Sequence, residues 1–167
     1  LGPWFSLLAE SSSTTTVAAL QDSSVEGSSI FFDGQAGLDA YIPSHDDSAA
    51  SMMTIDMELL ETQTAVINYS FDFALSGDTT GQAYIRVVKV GSDPLLFNYS
   101  TQDTDASSYE VDLNPGVYQI SMLVSASIDA GGWGLTEGVG DVFGLVSIDF
   151  MPVPAPGALA LLGLAAF

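Results

Sequence analysis

The sequence predicts an all-β fold, an antiparallel β-sandwich of jelly-roll type. Three observations carry that reading. Apolar residues alternate with polar ones at a period of two in five separate segments, as in strands that bury one face. Between the segments lie clusters of Gly, Pro, Asn, Asp and Ser suited to turns. With 47% hydrophobic residues, a chain of 167 residues has enough material for one core and therefore one domain.

Residues 1–12 form an apolar amino-terminal extension carrying Trp4, Phe5, Leu7 and Leu8. Less regular strands follow at Thr15–Gln21 and Ser29–Asp33. Met53, Ile55, Met57 and Leu59 alternate with Thr54, Asp56 and Glu58. The clearest segment runs from Thr64 to Leu75, with Ala65, Ile67, Tyr69, Phe71, Phe73 and Leu75 on one face. Two weaker strands are read at Gln82–Val90 and Leu95–Tyr99, punctuated by Gly77-Asp78 and Gly91-Ser92-Asp93-Pro94. Tyr109, Val111 and Leu113 then alternate, as do Tyr118 through Ile128 and Val142 through Phe150. Asn114-Pro115-Gly116 presets a turn dihedral at proline and tolerates positive φ at glycine, which predicts a tight hairpin between strands 108–113 and 117–129. The sandwich domain is thus expected over 13–150, with eight or nine strands.

Met151-Pro152-Val153-Pro154-Ala155-Pro156 is read as a stiff connector over 151–156, because alternating prolines remove ladder donors and cannot continue a central strand. It leads to an uncharged apolar tail, 157–167, expected to be a short helix. At about 1.5 Å per residue that helix covers only about half of a bilayer's roughly 30 Å hydrocarbon layer.

Composition excludes function classes. Acidic residues number 21 against 2 basic ones, for a net charge of -19. Arg86 and Lys89 alone cannot neutralise a run of phosphates, so neither nucleic acid nor anionic lipid is a partner by charge. The absence of cysteine removes disulfides, thiolate metal sites and thiol nucleophiles. Leu1 to Glu10 has no cationic stretch before its apolar part, so it does not read as an intact signal peptide, and Leu1 is taken as a processed or internal start. Abundant Ser, Thr and Gly with few lysines fits an exported protein.

Val153, Pro154, Ala155 and Pro156, followed by GALALLGLAAF to Phe167, resemble the sorting tail of PEP-CTERM proteins. In that family a Val-Pro-Glu-Pro-like signature precedes an apolar helix and a short arginine-rich end. Here Ala155 stands in place of the glutamate and the basic end is missing. The stretch from Leu113 to Gly134 is also similar to the last hairpin of many proteins with such tails. The resemblance implies export and recognition by an exosortase-type system in exopolysaccharide-producing bacteria. It also implies only transient membrane contact, through the tail during sorting.

Catalysis finds no constellation in the sequence. Ser44-His45-Asp46-Asp47 collects a base, a hydroxyl and carboxylates, but sequence neighbours on a loop rarely converge as a triad, and His45 reads as solvated. The expectation is a protein that is not an enzyme and needs no cofactor. Calcium is the one ion considered. Asp33, Asp39, Asp46, Asp47, Asp78, Asp103 and Asp105 lie at turns and offer hard oxygen ligands, without a fixed ligand spacing. Asn68-Tyr69-Ser70 and Asn98-Tyr99-Ser100 match the N-glycosylation sequon, and Ser11–Thr16 is a run of hydroxyl residues suited to O-glycosylation. Trp133, Tyr84 or Tyr41 would suit stacking on a sugar ring of an exopolysaccharide.

At the two ends, Trp4, Phe5, Leu7 and Leu8, and Leu159, Leu161, Leu162, Leu164 and Phe167, would leave an apolar patch larger than soluble monomers carry. A second copy would cover it by strand addition, which when repeated head to tail gives a filament. The sequence therefore leads to a secreted, non-catalytic structural protein of a bacterial surface or matrix that polymerises with itself. A carbohydrate-binding module of the same matrix is the alternative.

Overall fold

The computed structural model describes residues 4–11, 15–41, 47–91, 95–128 and 137–153. These form ten strands: β1 (Trp4–Ser11), β2 (Thr15–Glu26), β3 (Ser29–Tyr41), β4 (Asp47–Leu59), β5 (Gln63–Gly77), β6 (Thr79–Lys89), β7 (Leu95–Thr101), β8 (Asp105–Leu113), β9 (Gly116–Ile128) and β10 (Glu137–Pro152). They make two antiparallel sheets, ordered β1-β2-β3-β10-β5-β8 and β4-β9-β6-β7.

From β3 onward the chain pairs like one long ribbon folded at its middle. β3 bonds β10, β4 bonds β9, β5 bonds β8 and β6 bonds β7. The ribbon is rolled so that β10 also meets β5 and β9 also meets β6, which completes the sheets. The hairpin of β1 and β2 extends the larger sheet beyond β3.

Alternation decides which face each strand buries. Ile67, Phe71, Val142, Val146 and Ile148 from the larger sheet meet Ile85, Val87, Ile120, Met122 and Val124 from the smaller, all at most 1% exposed. On its inner face, where it packs over β9, β10 carries Gly144. A Cβ there would lie 2.5 Å from Val124 Cγ1 and 2.9 Å from the Phe71 ring, so only glycine fits without displacing packed side chains. At the passage from β5 to β6 the chain changes sheet across a single residue, Asp78. Gly77 takes φ 66° there, and Thr79 Oγ1 closes the arch by donating to Ser76 O at 2.8 Å.

Two expectations are corrected. Asn114-Pro115-Gly116 reverses the chain, but β8 and β9 are not a hairpin. β8 pairs β5 in one sheet and β9 pairs β4 and β6 in the other, so the turn is an arch between sheets. Tyr118 Oη donates to Asn114 O, and Lys89 Nζ donates to Pro115 O at 2.8 Å and lies 5.6 Å from the Tyr118 ring centre. Both strands face the same core, so their patterning suits either geometry.

Nor does the ladder stop before the prolines. β10 continues to Pro152, which stands opposite Gln63 of β5. The Phe150 N–H points to Ser28 O (2.8 Å) on the β3 side and the Val153 N–H to Thr62 O (3.4 Å) on the β5 side. Because N–H groups alternate sides, the nitrogen of Pro152 faces the β3 side, where β3 has already turned away at Gly27, and its missing donor costs nothing. The expected helix over 157–167 lies outside the described residues.

Candidate functional site

The sheets are unequal, six strands over four, and the mismatch falls at one side. β4 packs over β2 and β3, whereas among the described residues β1 makes substantial contact with β2 alone. The larger sheet therefore overhangs β4. Residues 4–11 of the segment expected as an extension outside the domain, 1–12, contribute the end strand of this overhang, with Leu7 in register with Leu20 and Trp4 with Ser23. Leu159, Leu161, Leu162, Leu164 and Phe167, with the sorting-motif residues Pro154, Ala155 and Pro156, lie outside the described residues.

Unpaired strand edges differ in how they are protected. β8 carries Asp105, Glu110 and Asp112, charges that resist pairing with another chain. β7 is uncharged but only 7 residues long. β4 has 13 residues, and its stretch 48–55 bears no charge. Among the described residues no strand pairs with the side of β4 away from β9. Ala50 and Met52 point outward there and are exposed, Met52 at 54%.

At the opposite side, a cluster of rings closes the gap between β5, β7 and β8. Tyr69 stacks on Tyr99 with ring centres 4.5 Å apart and on Phe71 at 5.3 Å, while Phe97 meets Tyr109 at 5.4 Å. Asp105 Oδ2 accepts from Tyr99 Oη and, at 3.1 Å, from Tyr69 Oη. The Tyr99 hydroxyl holds the Asp105 carboxyl below the usual carboxylate range, opposed by desolvation and helped by Tyr69 and the Ala106 N–H. Burial, then the hydrogen bonds to Tyr99, Asp105 and Tyr109, pushes the Tyr69 phenol up, so it stays a donor. Tyrosines of β5, β7 and β8 thus gather around one carboxylate as a clasp that ties the three strands together.

The outer face of the larger sheet mixes acids with bare apolar side chains. Asp22 stands directly opposite Asp33, and desolvation followed by the Asp22 charge raises the Asp33 carboxyl. Asp33 is opposite Leu145, while Leu20, Phe31, Val139 and Phe143 are also exposed on this face. The outer face of the smaller sheet is hydroxyl-rich. Thr54, Ser121, Arg86 and Asn98 form one row across it, and Met52, Leu123, Tyr84 and Ser100 the next. Tyr84 Oη donates to Met52 Sδ at 3.8 Å.

Among the calcium candidates, Asp105 is engaged by the tyrosines, and Asp47 and Asp78 lie on or beside strands separated by β9. No group of three or more acids or histidines suited to a metal occurs among the described residues. Asp46, His45 and Trp133 lie outside them. Asn68 and Asn98 are both exposed, on the outer faces of different sheets. The open edge of β4, the tyrosine clasp and the surroundings of Asn68 depend on residues far apart in the chain, which alternation alone does not bring together.

No family model and no curated protein matches the chain. Among solved structures it is similar to the infectious bursal disease virus VP2 subviral particle, at 8% identity and TM-score 0.25, covering 78% of this chain and 48% of that one. A structure of the Gt strain of that virus matches at 9% identity and TM-score 0.25, covering 89% and 48%. The chain spans about half the length of these proteins, and likeness at that TM-score assigns neither fold nor function.

Proposed function

We propose that this chain is a non-catalytic structural subunit, exported to a bacterial surface or extracellular matrix, that assembles with copies of itself by strand addition. One observation supports it above the others: the long edge of β4, uncharged over 48–55, beside the overhang of the larger sheet. A strand laid along that edge gains ladder hydrogen bonds and covers the inner face of β2. β1 is the natural donor. Among the described residues it is bonded on one side only, so the sheet loses a single ladder by giving it up. Because donor and acceptor are different parts of the surface, the contact is head to tail and propagates. The apolar tail, with its likeness to a sorting signal, fits the export part of the reading.

We also read the sandwich as a jelly roll. The rolled ribbon from β3 to β10, giving β3-β10-β5-β8 over β4-β9-β6-β7, is the order that two Greek keys produce. Jelly rolls serve in shells and in lectins alike. The second reading, a carbohydrate-binding module, is favoured by the hydroxyl-rich outer face with Tyr84, Arg86 and Asn98. Retention on a neutral polysaccharide column that Tyr84→Ala abolishes is its expected result.

The test of the leading reading is Ala50→Lys, which adds a charge at an exposed, outward position of β4. Light scattering and electron microscopy should find polymers for the natural chain and monomers of unchanged strand content for the variant. A natural chain that stays monomeric at all concentrations, or a variant that polymerises equally, overturns the reading.

A further inference from the structure

Phe31, Ser147 and Asn68 stand in one row across β3, β10 and β5 on the outer face of the larger sheet. Leu145 and Ser70 are opposite one another in an adjacent row. Together these side chains line a shallow depression of about 250 Å³. Its floor is apolar and open to water, with Phe31 39% and Leu145 47% exposed, and its rim carries hydroxyls. A ligand suited to it has one apolar face and a hydroxylated edge, as a pyranose ring does.

The sequence supplies the tether. Asn68-Tyr69-Ser70 is a sequon, and its alternation sends Asn68 and Ser70 outward together while Tyr69 is buried. Asn68 Nδ2 donates to Ser147 Oγ at 3.4 Å, which uses one of its two hydrogens. Replacing the other by a sugar leaves that bond intact. Asn98 lacks this setting: it stands opposite Arg86, a hydrated charge, on an end strand.

We propose that Asn68 is an N-glycosylation site and that the first sugar of its glycan lies over Phe31 and Leu145. In the transfer, the Asn68 amide nitrogen bonds to the anomeric carbon of a lipid-diphosphate-linked glycan. The bond from that carbon to the diphosphate oxygen breaks, its electron pair leaves with the lipid diphosphate, and the amide proton passes to a base of the transferase. Since β5 is bonded on both sides, by β10 and β8, the exported chain accepts the glycan before its sheet closes. The inference shares only the exported location with the proposed function, and a glycosylated monomer would sink one and leave the other standing.

Mass spectrometry of the peptide spanning Asn68, from protein isolated from its natural source, is the test. A glycan mass on Asn68 that Asn68→Gln removes is expected; an unmodified Asn68 overturns the proposal. Seating is tested separately with Phe31→Ala made in the same host. Removing the glycan enzymatically should lower Tm by about 3 °C in the natural chain and by less than about 1 °C in Phe31→Ala. Equal shifts in the two would refute the contact with Phe31.

Discussion

Replacing Gly144 by alanine probes the packing of β10 over β9. The added Cβ would sit 2.5 Å from Val124 Cγ1 and 2.9 Å from two carbons of the Phe71 ring, where carbon atoms ordinarily pack at about 3.5–4.0 Å. Neither neighbour has room to withdraw, since Val124 is 0% and Phe71 1% exposed. Overpacking of this kind costs about 1–3 kcal/mol. Loss of glycine's freedom in the unfolded chain returns about 0.4–1 kcal/mol. A net loss of about 1–2 kcal/mol corresponds to a fall in Tm of about 3–6 °C for a chain of this size. Thermal unfolding followed by circular dichroism measures it, and a double-mutant cycle identifies the cause. In a Val124→Ala background the same substitution should cost at least about 0.5 kcal/mol less, because the clashing methyl is gone. A Gly144→Ala chain as stable as the original, or an unchanged cost beside Val124→Ala, would refute the stacking of β10 over β9 described above.

Two carboxylates give opposite dependences on pH. Asp105 is held below its ordinary pKa by Tyr99 and then Tyr69, so its contribution is complete above about pH 4 and lost as pH falls through the lowered value. The destabilisation caused by Tyr99→Phe, read as a difference in Tm, should therefore be largest above pH 5 and shrink below pH 3; a constant difference would contradict the clasp. Asp33 is raised, by desolvation and then by Asp22, so its charged form is a burden above the raised value that protonation relieves. Asp22→Asn should stabilise the protein at pH 7 and lose that advantage towards pH 3, and a gain that persists in acid would mean the Asp22 charge is not its source.

Much of the fold is legible in the alternation. Segments 64–75, 118–128 and 142–150 supply much of the core and bury the residues their periodicity selects, except that Phe73 and Leu75 are only partly buried. The second half of β3 is not legible, because Gly34 and Gly37 interrupt the pattern while the strand runs on to Tyr41. The first half of β4 is similarly hidden by Ala49, Ala50 and Ser51, small residues without a strong preference, although Ala49 and Ser51 are buried. At Asn114-Pro115-Gly116 the turn chemistry is evident, but whether a reversal stays in one sheet or crosses to the other depends on partners fifty residues away. Tyr69, Tyr99, Asp105 and Tyr109 share one cluster only because β7 and β8 end at the same side of different sheets. The depression at Asn68 needs the register of three strands, of which the sequon marks one residue.

Hydrogen–deuterium exchange along β4 tests assembly by strand addition most directly. Backbone N–H groups of 48–55 that point away from β9 have no ladder partner among the described residues of a single copy. In the assembled protein the account predicts that these amides exchange far more slowly than in monomers dispersed by Ala50→Lys, while those of β8 are unchanged. Equal exchange along β4 in assembled and dispersed protein would contradict it.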